Sequence, residues 1–437
     1  MTAIHVRLRE WETTSPDRAD LRGVFLDDAA RQTAYRLADK GVVEISELRT
    51  GLRVQAFAHV GRIQLGDLTV TIEPKLAAGE LFELLRYAYG LRNLTLFSGA
   101  GYAERGQLLQ DLVAAQLRDE VRELVARGLA RRYVARAEPL RTPRGRIDMD
   151  QLVRQLPLVD AALPCRHHAR SPDHVLNQAI HGALALAATI ASDRELRGEL
   201  LRLAATLAVD VTAVRLDAQL LRRAWTRVDR TTVSYEPTLR LAELLLACNS
   251  IALDGDATLT LPGFLFDMNR FFEALVGRLL RDHLPELEVV DQNKLTGMMR
   301  YRPQLNPRRR HAPTPRPDFA LMRERRIVAL LDAKYRDLWE RSLPREMLYQ
   351  LAMYAVSQPA GSTAAIIYPT TDFAAADAEI ELRAPDGSGV LGYVALRPLV
   401  LPALAAALRD RAGTGAVAAA AVRAVAFGAR TVNERRA

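Results

Sequence analysis

Lysine is nearly missing from this chain. Of 60 basic residues only Lys40, Lys75, Lys294 and Lys334 are Lys, and the rest are Arg. A compact ammonium and a planar guanidinium are not interchangeable, so a surviving Lys draws attention to its surroundings, Lys334 first. Cysteine is scarce as well. Cys165 and Cys248 alone cannot build a disulfide framework or a cysteine-based zinc site, and both are expected as buried free thiols. No uncharged apolar run reaches the roughly 18 residues a membrane span requires. The opening MTAIHVRLREWETT is charged from Arg7 onward and does not read as a secretory signal. A cytoplasmic protein without a membrane partner is expected. The phosphate-cradling pattern G-x4-G-K-[ST] is absent too, so nucleotide hydrolysis, if the chain takes part in it, must come from another subunit. No repeat of solenoid period is visible.

What is present is a basic globular protein. Its 437 residues allow two or three domains, and 49% hydrophobic with 26% charged residues excludes a disordered chain. A formal charge of +8 and a pI near 9.7 favour a polyanionic partner, nucleic acid first.

Hydrophobic spacing divides the chain into an α/β multidomain layout. Residues 1–100 read as a β-rich N-terminal domain, with "VVEISEL", "LRVQAFAHVGRIQLG" and "LTVTIEPK" alternating between glycines. Residues 101–258 read as a helical middle region. Leu108, Leu109, Leu112, Val113, Leu117, Val121, Leu124 and Val125 recur at three and four residues, with Gly128 as a C-cap. Further helices fit 173–191, 194–208 and 237–253, around an irregular Arg-rich link, "RRYVARAEPLRTPRGRID". Residues 259–400 alternate helix, hairpin, helix and strand, an α/β domain with a mixed sheet. Residues 401–437 form an Ala-rich helical tail.

The chemistry concentrates in the hairpin 318–334. Two apolar arms, Phe319–Met322 and Val328–Leu331, flank the charged turn Arg323-Glu324-Arg325-Arg326. Pairing Met322 with Val328 sets Asp318 opposite Asp332. Lys334 shares the face of Asp332, because strand side chains alternate. Two carboxylates that close repel unless a cation or proton lies between them. A hard divalent ion such as Mg²⁺ is bound by one or two carboxylates plus water and phosphate oxygens. A lysine beside it can orient the attacking water and offset charge on phosphorus. The set suits phosphodiester hydrolysis, with Mn²⁺ a possible substitute for Mg²⁺.

Neighbouring stretches extend the set. "FDMNRFFEALVGRLLR" places Glu273 on the preceding helix, and "REMLYQLAMYAV" puts Gln350 and Tyr354 on one face of the following one. The stretch 300–317 carries six Arg and no acidic residue. Its Arg302, Arg308, Arg309, Arg310 and Arg316, with Tyr354, are the candidates for gripping DNA.

The order Glu273, Pro317-Asp318, Asp332-Ala333-Lys334, Gln350 and Tyr354 resembles the PD-(D/E)XK nuclease superfamily. "FDMNRFFE", "RPDFAL", "LLDAKYR", "YQLAMYA" and "IIYP" are similar to the McrC family, the nuclease subunit of McrBC-type modification-dependent restriction systems. Upstream, "HVGRIQLGDLTVTIEPKL", "RGLARRYVARAEPLRTPRGRID" and "SPDHVLNQAI" resemble the same family, so the likeness spans roughly residues 40–370. The resemblance implies a Mg²⁺-dependent endonuclease subunit cutting double-stranded DNA while bound to a hexameric AAA+ NTPase of the McrB type, which uses GTP or ATP. It implies metal-binding roles for Asp318, Asp332 and Glu273, a water-directing role for Lys334, and a positioning role for Gln350. It also implies partner contact through the N-terminal region, for which Lys75 and Arg62 are candidates; Arg141, Arg144 and Arg146 could meet DNA or the partner. The alternative is a non-catalytic adaptor that activates an AAA+ ring and keeps the nuclease fold as a scaffold.

Overall fold

A computed structural model of the chain describes residues 4–15, 18–91, 109–154, 161–252, 258–260, 263–359, 361–409 and 414–428. The chain divides into two compact units. One joins Met1–Asn93 to Leu265–Ala437, and the other is Leu94–Phe264. The N-terminal segment, set apart from the C-terminal α/β region in the sequence, thus clusters with it in three dimensions.

In the first unit, Ile4–Arg9 runs parallel to Leu68–Glu73, which pairs antiparallel with His59–Leu65. Val43–Leu48 and Gly51–Ala56 form a separate hairpin. Two helices, Asp28–Asp39 and Ala78–Tyr89, interrupt what the sequence suggests is β structure. The first was hard to read because the residues it buries are Ala30, Ala34 and Leu37, a face too small to stand out as periodicity.

The C-terminal part of this unit is a six-stranded mixed sheet. Its strands run in the order Glu288–Asp291, Phe319–Arg323, Arg326–Ala333, Thr363–Thr370, Val390–Val400 and Ala378–Arg383. The first two pairings and the last are antiparallel, and those flanking Thr363–Thr370 are parallel. Helix Met268–His283 packs on one face. Asp267 caps it, accepting from the Asn269 and Arg270 amides at 2.9 and 3.3 Å. It buries Phe271, Phe272, Leu275, Val276, Leu279 and Leu280 at helical spacing. Gly277 lets it come close, since a Cβ there would stand 2.9 Å from the Phe319 ring. Helix Arg345–Val356 covers the other face, where Leu351, Tyr354 and Ala355 meet Ala320, Leu330, Ala364, Ile366 and Val394.

The strand Arg326–Ala333 is buried from Ala329 onward, as expected of a strand paired on both sides. Its hairpin differs from expectation at the far end. Glu324 and Arg325 alone make the turn, both at positive φ (50° and 65°). Met322 faces Ile327 rather than Val328, because a bulge follows Leu321 and leaves Val328 as the extra residue. Below the bulge, Phe319 faces Leu331 and the expected register holds.

The second unit is helical, with Leu109–Arg127, Val175–Ile190, Arg194–Ala208, Ala218–Trp225 and Glu236–Asn249. The stretch read as an irregular link contains strand Arg132–Leu140. Together with Leu163–Ser171 and Arg146–Ile147 it forms a three-stranded antiparallel sheet. Every residue of Arg132–Leu140 is exposed or half-buried, so no apolar alternation marked it as a strand. Cys165 and Cys248 are both buried, and neither is in a disulfide.

Candidate active site

The end of strand Arg326–Ala333 gathers three charged groups. Asp332, 2% exposed, and Asp318, 8% exposed, face each other across the hairpin, and two hydrogen bonds tie them together. The Asp318 amide donates to Asp332 Oδ1 at 3.3 Å, and the Ala333 amide donates to Asp318 Oδ2 at 2.9 Å. Lys334 places Nζ 2.9 Å from Asp332 Oδ2 and 3.5 Å from Asp318 Oδ2. Its own amide is fixed to the Ile367 carbonyl at 3.0 Å.

Electrostatics follow from this burial. The Asp332 carboxyl is pushed up to about 6, by desolvation first and then by the charge of Asp318, with Lys334 opposing. Burial alone would lower Lys334, but Asp332 and Asp318 outweigh it, and its pKa is raised. Lys334 is therefore an ammonium at neutral pH. Glu273 is half-buried, and its carboxyl is raised by desolvation and by Asp318.

Glu273 stands beside the aspartates, linked to Asp318 through the side chain of Gln292. Among the described residues no group of three or more His, Cys, Asp or Glu side chains could hold one ion. Gln292 bridges Glu273 and Asp318, its side-chain amide donating to Glu273 Oε1 at 3.0 Å and to Asp318 Oδ1 at 3.1 Å. Gln292 was not among the sequence candidates; the strand register, with Asp291 facing Phe319, sets it opposite Asp318. Its φ is +49°, and its amide donates to the Asp318 carbonyl at 2.9 Å.

Gln350 and Tyr354 act on the backbone entering the site. Tyr354 is buried, and its hydroxyl donates to the Arg316 carbonyl at 2.8 Å while accepting from Gln350 Nε2 at 2.5 Å. Burial pushes Tyr354 to about 12, so it stays a neutral donor. A DNA contact by Tyr354 does not fit this burial, and Gln350 reaches Tyr354 rather than Lys334. Arg302, Arg308, Arg309, Arg310 and Arg316 are all exposed on the segment leading to Asp318. Asn306 shapes that segment, its side chain bonding the Arg310 carbonyl and amide at 2.8 Å each. Lys75 spends its charge within the chain, 3.0 Å from Glu340, whereas Arg62 is half-buried on strand His59–Leu65. In the second unit Arg141, Arg144 and Arg146 are exposed.

The donor set fits a hard divalent ion. Two buried carboxylates supply only oxygen, and the closeness of their charges is relieved by a cation.

Fold and site define a mixed α/β protein that presents an aspartate pair and an ammonium at one end of its central strand. The chain belongs to the family described as McrBC 5-methylcytosine restriction system component, which matches residues 54–369. Its fold is similar to a solved assembly from Thermococcus gammatolerans, titled a refined half-complex of McrB AAA+ hexamers with bound McrC. The TM-score is 0.62 at 20% identity, covering 99% of this chain and 100% of that one. A second structure, the cryo-EM McrBC complex of the same organism, aligns at TM-score 0.46 and 20% identity over 64% of this chain and 88% of that one. No curated protein matches the chain. Among the described residues no helix is long and apolar enough to cross a membrane.

Proposed function

We propose that this chain is the DNA-cutting subunit of an McrBC-type restriction system, a PD-(D/E)XK endonuclease that hydrolyses phosphodiester bonds of double-stranded DNA. The observation that carries the reading is the convergence of Asp318, Asp332 and the Lys334 ammonium within 3.5 Å at a strand end. Family membership supports it, as does the fold shared with an McrC bound to McrB AAA+ hexamers. By that likeness the chain works on an AAA+ NTPase that hydrolyses GTP or ATP, with Arg62 among the residues that could meet it.

Asp318 and Asp332 would hold Mg²⁺, or Mn²⁺ in its stead; the ion would polarise the scissile phosphate and lower the pKa of a bound water. Lys334 keeps its proton and so cannot serve as the base. It donates to the attacking water or to a phosphate oxygen and offsets negative charge gathering there. Glu273, on the far side of Gln292, orients water at the rim of the site. Gln350 and Tyr354 fix the turn that brings Asp318 into place. The exposed arginines of residues 302–316 grip phosphates without reading bases.

The test is reconstitution with the partner NTPase. Asp332→Ala and Lys334→Ala should each abolish cleavage while stimulation of the NTPase persists. Cleavage surviving in both variants would refute the site. A wild-type complex that stimulates hydrolysis but never nicks DNA with either metal would establish the adaptor reading instead.

A further inference from the structure

The chain leaving Lys334 is held by the N-terminal segment. Tyr335, the next residue, is 5% exposed, and its hydroxyl donates to Glu10 Oε1 at 3.0 Å. Glu10 is 2% exposed and also accepts from the Lys75 amide at 2.6 Å. The Tyr335 ring stacks edge-on against Phe272, the neighbour of Glu273, with centroids 6.0 Å apart. One buried ring therefore touches the helix that carries Glu273 and belongs to the segment that leaves the strand Arg326–Ala333 through Lys334.

The next residues are held in the same way. Arg336 and Arg341 lie over the Trp11 ring at 5.8 and 5.4 Å, and Arg341 Nη2 donates to the Trp11 carbonyl at 3.1 Å. Glu340 pairs with Lys75. Trp11 adopts φ +64°, a conformation an L residue keeps only when its surroundings hold it there. Glu10 Oε2 is buried with no hydrogen-bond partner among the described residues, beside a cavity of about 20 Å³ lined by Glu10, Trp11, Lys75, Tyr335 and Asp337. A buried carboxylate is costly in a purely structural contact, where an apolar side chain would serve as well.

We propose that Glu10 and Tyr335 are positioning residues of the cleavage site: the N-terminal carboxylate clasps the residue after Lys334 and thereby fixes where the ammonium stands between Asp318 and Asp332. A shift of the N-terminal segment is then felt at Lys334 one peptide away. The inference rests on the reading of Asp318, Asp332 and Lys334 as the cleavage site.

With only four lysines, the full-length chain labelled with ¹³C at lysine Cε gives a simple spectrum. Glu10→Ala and Tyr335→Phe should move the Lys334 signal and leave those of Lys40 and Lys294 in place. Glu10→Gln should leave Lys334 unmoved, because its amide oxygen still accepts from Lys75 and Tyr335. In the reconstituted complex, cleavage should fall at least fivefold in Glu10→Ala and Tyr335→Phe and return in Glu10→Gln, with NTPase stimulation unchanged throughout. If Glu10→Ala does not fold, Tyr335→Phe, which removes one oxygen, decides the matter. An unmoved Lys334 signal with wild-type cleavage in folded Tyr335→Phe overturns the clasp. If the wild-type complex cuts no DNA, the site reading fails, and the Lys334 signal still reports on the clasp.

Discussion

Lys334 holds its proton because Asp332 and Asp318 outweigh the burial that lowers its pKa, and that balance defines its chemistry. The compact ammonium of Lys334 meets one oxygen of each carboxylate. A guanidinium would spread a planar fork across the pair and occupy the place proposed for the metal and water. Lys334→Arg should therefore lower cleavage at least a hundredfold despite keeping the charge, and a rate within tenfold of wild type would contradict this. Glu10 offers a test by pH. Burial pushes its carboxyl from 4.5 to about 7, while the Lys75 amide, the Tyr335 hydroxyl and the Lys75 charge pull it down. Asp337 also lines its cavity, and Arg336 and Arg341 lie over the adjacent Trp11. Between pH 4.5 and 7 the folded chain holds a proton that the unfolded chain has released. Stability therefore falls as pH rises through that window and levels off above it, by roughly 3 kcal/mol. Glu10→Gln should flatten that part of the profile and raise the melting temperature at pH 8. An unchanged slope in thermal unfolding across pH 5–8 would count against it.

At the scale of elements, the hairpin shows what spacing can and cannot convey. The apolar arms and the facing of Asp318 and Asp332 were legible because a period of two fixes which residues share a face. The bulge at Val328 was not, since an extra residue near the turn leaves both arms equally apolar. Glu324 and Arg325 make a two-residue turn at positive φ without glycine. Replacing them with Asn-Gly should stabilise the first unit by about 1 kcal/mol, as chemical denaturation would show, with cleavage unaffected. Gln292 and Tyr335 lay beyond the sequence for another reason. Each acts through a contact set by tertiary packing, with Glu273 in one case and Glu10 in the other. In the second unit, the family-like "SPDHVLNQAI" has a packing role. Buried Asn177 bonds the Pro172 and Ala130 carbonyls and accepts from the Tyr235 hydroxyl at 2.8 Å.

At the scale of the molecule, the mixed α/β class was legible from the change of period along the chain. The joining of residues 1–93 with 265–437 in one unit was not, because long-range closure leaves no local pattern. Exposed arginines on residues 302–316 give the basic charge a place to act. Replacing Arg308, Arg309 and Arg310 with Ala should weaken DNA binding alike across sequences. It should also flatten the dependence of log K on log salt by about 0.9 for each phosphate that is no longer neutralised. An unchanged salt slope in fluorescence anisotropy would remove this segment from the interface.

The most direct measurement is a calorimetric titration of the full chain with Mg²⁺. One ion should bind, with affinity at least tenfold lower in Asp318→Ala and in Asp332→Ala than in wild type. Equal binding by all three proteins would show that no cation sits between these carboxylates, and the proposed cutting site would fall with it.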